Sequence, residues 1–126
     1  MSTANTDKIK EILKELKENN PDVESVVLSG PDGIVIDAIL PSDEDPLLMS
    51  ALVASILMMS KKSVEKVKKG LLKRVLIEGE EGSILVIQTK NNSILGCVLK
   101  EKAKIGLAMI ELKRAADRID EILGEK

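Results

Sequence analysis

Thirteen consecutive residues, Leu47–Met59 (LLMSALVASILMM), pass without a charge between the acidic Asp43-Glu44-Asp45 and a lysine run that starts at Lys61. The run is too short to span a bilayer, which takes about 20 apolar residues. It is also more apolar than a helix with one face in water, whose apolar stripe covers roughly a third of the circumference. A helix of this kind needs cover on two sides. In a chain of 126 residues the second cover is expected from another protein, which points to a contact protein before an enzyme.

The rest of the chain supplies the first cover. Ile9, Ile12, Leu13 and Leu16 fall at helical spacing and place a first helix at about Thr6 to Asn19, capped by Thr6 or Asp7 and stopped by Asn19-Asn20-Pro21. Two β-prone runs, Val23–Ser29 and Ile34–Ile39, flank Gly30-Pro31-Asp32-Gly33, whose proline and glycine are turn chemistry, so they form a hairpin. The long helix begins with Asp45 as N-cap and Pro46 in the first turn, and is expected to run to about Lys69 before Gly70. Three further strands follow at Leu72–Glu78, Ser83–Thr89 and Ser93–Leu99, with links of hairpin length. Ile84–Ile87 and Ile94–Leu99 are nearly continuous apolar runs, the pattern of strands covered on both faces. A last helix from about Lys102 to Leu123 carries its stripe on Ile105, Ala108, Met109, Leu112, Ala116, Ile119 and Leu123. The order α-β-β-α-β-β-β-α with hairpin links predicts one α/β domain over residues 1–126, a three-layer α-β-α sandwich on a mainly antiparallel sheet.

Absences narrow the chemistry. The chain has no His, Phe, Tyr or Trp and one cysteine, Cys97. Without histidine, acid–base work near neutral pH falls to a shifted carboxylate or lysine. Zinc and copper lose their commonest ligand, and bases lose a stacking platform. The acidic pairs and triplets, Asp43-Glu44-Asp45 and Glu78-Glu80-Glu81, match no ion-loop spacing and read as capping and turn solvation. There is no Gly-x-x-x-x-Gly-Lys-Ser/Thr loop. No catalytic residue, metal site or cofactor is expected, and neither are nucleic-acid binding and membrane insertion. A single cysteine and an N-terminus without a signal-peptide pattern fit a cytoplasmic protein.

The hairpin VVLSGPDGIVIDA (Val26–Ala38), the apolar second helix ending in lysines, the hairpin LKRVLIEGEEGSILVIQT (Leu72–Thr89) and the amphipathic last helix together resemble the Roadblock/LC7 family, including its MglB-like bacterial and archaeal members. Asp32-Gly33 and Gly82-Ser83-Ile84 are the best points of the match. The resemblance implies a profilin-like five-stranded sheet between the second helix on one face and the first and last helices on the other. It implies a homodimer in which the third strands pair across a two-fold axis and the second helices lie side by side. It also implies a non-enzymatic scaffold or regulator of a small Ras-like GTPase. The alternatives are a small-ligand sensor or carrier and an adaptor subunit of a larger complex without a GTPase.

On a helical wheel, Leu48, Met49, Leu52, Val53, Ile56 and Met59 centre on one face of the long helix, which is assigned to the sheet. Leu47, Ala51, Ala54 and Met58, with Ser50 and Ser55 beside them, form the opposite strip. Contiguous exposed apolar surface marks interaction sites. In the third strand, Lys73 and Arg74 blunt the edge while Val75-Leu76-Ile77 invite pairing. The candidate interface is therefore Leu47, Ala51, Ala54, Ser55, Met58, Lys62, Lys73, Val75, Leu76 and Ile77. Cys97 is expected to be a small buried hydrophobe, and Gly96 a bulge or a close helix approach.

Overall fold

The computed structural model describes residues 2–124. Helix α1 (Thr3–Asn19) is followed by β1 (Val23–Ser29), β2 (Val35–Ile39), α2 (Pro46–Lys66), β3 (Val75–Gly79), β4 (Gly82–Gln88), β5 (Ile94–Lys100) and α3 (Ile105–Leu123). The strands form one sheet in the order β2-β1-β5-β4-β3, and every ladder is antiparallel. The central strands β1, β5 and β4 carry apolar side chains on both faces, so helices must cover both. One face packs on α1 and α3 through Ile9, Leu13, Leu28, Leu85, Leu95 and Leu112. The other packs on α2 through Val27, Val53, Ala54, Leu57, Val86 and Ile94. The expected fold is the observed one.

Several element ends differ from the sequence expectation, each for a local reason. Helix α1 starts earlier than Thr6, because the Ser2 hydroxyl caps it by accepting from the Asn5 amide at 3.2 Å. Thr6 lies inside the first turn, its hydroxyl donating to the Ser2 carbonyl at 3.1 Å. Helix α2 has the expected Asp45 cap, whose carboxylate accepts from the Leu47 amide at 3.0 Å, but it ends at Lys66. Lys68 and Gly70 both take positive φ, which breaks the helix before Lys69. Strand β3 starts at Val75 rather than Leu72, since Leu72 tucks beneath α2 and draws the chain off the sheet. Helix α3 starts at Ile105, because Lys102 is left-handed and the Lys104 amide donates to Asp22 at 3.1 Å.

At 21 residues, α2 is about 30 Å long. By length and composition the whole helix is apolar enough to cross a membrane, although its uncharged run alone is not. One side of it is nevertheless committed to the sheet.

Candidate functional site

The committed side of α2 carries two small residues, Ser50 and Ala54, with Val53 and Leu57. Ser50, Val53, Ala54 and Leu57 are buried at the i, i+3, i+4, i+7 positions of one face. Gly96 on the central strand β5 makes this seating possible. A Cβ at Gly96 would lie 2.6 Å from the Val53 Cγ1, so the helix rests almost on the sheet backbone. The Ser50 hydroxyl donates to the Gly33 carbonyl at 2.8 Å and fastens the helix to the β1–β2 turn. A Cβ at Gly33 would stand 3.7 Å from that of Ala54, and positive φ there suits glycine.

The wheel assignment is corrected accordingly. Leu48, Leu52 and Met59, expected on the sheet, point outward and are exposed, Leu48 by 57% and Met59 by 67%. Ser50 and Ala54, expected on the outer strip, are buried, Ala54 at 7% exposure, while Val53 and Ile56 keep their expected place against the sheet. The wheel weighted hydrophobic bulk, whereas the close approach at Gly96 is made by Val53 and sets the helix rotation that buries Ser50, Ala54 and Leu57 with it. Of the other candidates, Leu47, Ala51, Ser55, Met58 and Lys62 are exposed on the outer side of α2. The periodic spacing of Ser50, Val53, Ala54 and Leu57, read with Gly96, is the signal that could have found this face.

The outcome is an outward surface of Leu47, Leu48, Leu52, Met58 and Met59, flanked by Ala51 and Ser55. From Leu48 to Met59 it runs about 17 Å along the helix. Ala51, Ser55 and Met58 also border a shallow hollow of about 300 Å³ against Pro31-Asp32-Gly33.

Among the described residues, strand β3 has a neighbour on one side only, β4, so its other edge is unpaired. Val75 and Ile77 stand opposite Val86 and Ile84 and share the α2 side of the sheet. Leu76 stands opposite Leu85 and faces the α1–α3 side. Val75 is half-buried, while Leu76 and Ile77 are both 41% exposed. Lys73 precedes the strand rather than lying in it. With Arg74, Lys113, Ile87, Gln88 and Met109 it lines a hollow of about 350 Å³ beside α3.

The carboxylates before α2 have structural roles. Glu44 accepts from the Ser25 hydroxyl at 3.1 Å, beside the Asp45 cap. Among the described residues no group of three or more His, Cys, Asp or Glu is placed to hold a metal ion. Burial pushes the Cys97 thiol up to about 12, against a smaller opposing effect of a backbone hydrogen bond at Leu85. It is buried and uncharged, as a small hydrophobe should be. Gly96 is the close helix approach; the pairing of β5 with β4 and β1 is regular through it.

The family model described as "Roadblock/LC7 domain" matches residues 8–100. The uncharacterized protein MJ0310 of Methanocaldococcus jannaschii is 32% identical over 111 residues, 88% of this chain and 96% of that protein. Among solved structures, Myxococcus xanthus MglB superposes with a TM-score of 0.88 at 17% identity, covering 98% of this chain and 93% of that one. An MglB described as having a tetrameric arrangement gives 0.86 at 20% identity, covering 97% and 92%.

Proposed function

The chain belongs to the Roadblock/LC7 family, and from that premise we propose that it is a non-enzymatic, homodimeric module that binds a small Ras-like GTPase and regulates or scaffolds it. The observation that carries this reading is the seating of α2, with Ser50, Val53, Ala54 and Leu57 inward and Leu47, Leu48, Leu52, Met58 and Met59 outward. Covering what is still exposed of those five side chains would gain about 0.7–1.5 kcal/mol each, roughly half the value of full burial, and an apolar surface of that extent is what an interface covers. The open β3 edge, with Val75 and Ile77 on the same side of the sheet, continues the surface toward a second copy. One of the MglB structures that this fold resembles is itself an assembly of copies, which supports self-association here.

The mechanism is positioning. A surface of two α2 helices holds the switch segments of a GTPase in one of their arrangements and so shifts a population, contributing no chemical group of its own. The lysines at the end of α2, Lys61, Lys62 and Lys66, add a positive rim that steers an acidic partner surface. A ligand carrier is disfavoured because the space between α2 and the sheet is filled where Val53 meets Gly96.

The test is a titration of the purified protein against small Ras-like GTPases from the same genome, with binding and GTP hydrolysis both followed. Saturable binding to one of them, abolished by Leu48→Lys, supports the reading. Absence of binding and of any rate change across all of them overturns the GTPase part.

A further inference from the structure

The β3 segment reads Lys73-Arg74-Val75-Leu76-Ile77-Glu78-Gly79-Glu80-Glu81, with cations before the strand and carboxylates after it. Lys73, Arg74, Glu78, Glu80 and Glu81 are all exposed. None of them takes part in an ion pair among the described residues. Glu80 and Glu81 form the two-residue link to β4 between the paired Gly79 and Gly82. The charges therefore sit at the two ends of an open edge and are unused within the fold.

Building on the homodimer reading above, we infer that these flanking charges are a self-recognition code. They select a second copy of this chain as the edge partner of β3 and fix the antiparallel register centred on Ile77. In that register Val75–Gly79 pairs over its whole length. Lys73 and Arg74 of each protomer come beside Glu81 and Glu80 of the other, and each contact occurs again across the two-fold axis. Opposite charges across an edge stabilise pairing, and like charges oppose it.

The competing registers fail on the same residues. Centring between two residues sets side chains from opposite faces against each other, because facing side chains alternate with period two. It would bring α2 of one copy beside the α1–α3 layer of the other and leave the outer face of α2 uncovered. Centring on Leu76 pairs Arg74 with Glu78 but sets Glu80 and Glu81 against Leu72 and Leu71. Centring on Glu78 sets that carboxylate against itself. Only the Ile77 register pairs the full strand, opposes no like charges and keeps the two α2 helices on one side.

Complementation of charge tests this directly. Lys73→Glu/Arg74→Glu and Glu80→Lys/Glu81→Lys are each expected to self-associate about a hundredfold more weakly than the unaltered chain, since attraction becomes repulsion at each contact. Mixed in equal amounts, the two variants should form a heterodimer by sedimentation velocity. Circular dichroism of each variant checks that it is folded. Independently, Ile77→Cys should cross-link to itself under diamide while Leu76→Cys does not, because only residue 77 meets its own copy within disulfide reach. Cys97 is buried and does not compete. An unaltered chain that sediments as a monomer at every concentration overturns the dimer reading and this inference with it. An unaltered dimer whose charge variants associate undiminished, or whose cross-link forms through Leu76→Cys in place of Ile77→Cys, overturns the code and leaves the dimer standing.

Discussion

Gly96 decides which way α2 faces, and substituting it exposes that dependence. In Gly96→Ala the new methyl would lie 2.6 Å from the Val53 Cγ1 and 3.2 Å from its Cβ. Val53 is buried and, being β-branched in a helix, has one strongly preferred rotamer, so it cannot swing aside. Overpacking of this kind costs about 1–3 kcal/mol. Removing a glycine from a strand interior returns about 0.5–1 kcal/mol, so a net loss of about 1–2 kcal/mol is expected. Val53→Ala alone removes two methyl groups at about 0.8 kcal/mol each, plus a cavity cost, for about 2 kcal/mol in all. In the double variant the alanine methyl enters the space left by Cγ1, and the loss should be about 1–2 kcal/mol instead of the sum. The coupling is then about 2 kcal/mol, measured by urea unfolding at fixed protomer concentration, with unchanged m-values confirming the same unfolding reaction. Additivity within about 0.5 kcal/mol would refute the claim that this contact sets the helix seating.

Two further outcomes follow from the same geometry. Leu52→Glu alters an outward residue, so monomer stability should change by no more than about 0.5 kcal/mol, while self-association measured by sedimentation weakens about a hundredfold; the wheel assignment to the sheet demands the opposite. For Cys97 the folded thiol is raised from 9.0 to about 12, so the folded state keeps a proton that the unfolded state releases. Its contribution to stability is intact below pH 9 and is lost as pH rises from there toward 12. The difference in stability between the native chain and Cys97→Ala should therefore shrink over that window, and the native thiol should resist alkylation at pH 8 until the protein unfolds.

Much of this protein is legible in its residues because local patterns and tertiary packing agree. Ile9, Ile12, Leu13 and Leu16 mark the buried face of α1, and all four are buried. The Pro31-Asp32-Gly33 turn and the Asp45-Pro46 start of α2 rest on backbone chemistry that needs no distant partner. The continuous apolar runs of β4 and β5 require cover on both sides, which dictates a three-layer arrangement. Element ends were less legible, because Leu72 and Lys102 obey contacts and dihedrals that neighbouring residues do not announce.

The orientation of Leu47–Met59 is where sequence alone ran out. The thirteen uncharged residues determine that a helix forms and that it needs two covers. They do not determine which side meets the sheet, because both sides are apolar and burial energy hardly distinguishes them. That choice was made by tertiary structure, through a glycine more than 35 residues away in β5 and the carbonyl of Gly33 in the β1–β2 turn. Hydrophobic burial is non-directional, whereas steric fit and a hydrogen bond are directional. The face of Ser50, Val53, Ala54 and Leu57 fits against the sheet, and the outward leucines and methionines are left for a partner.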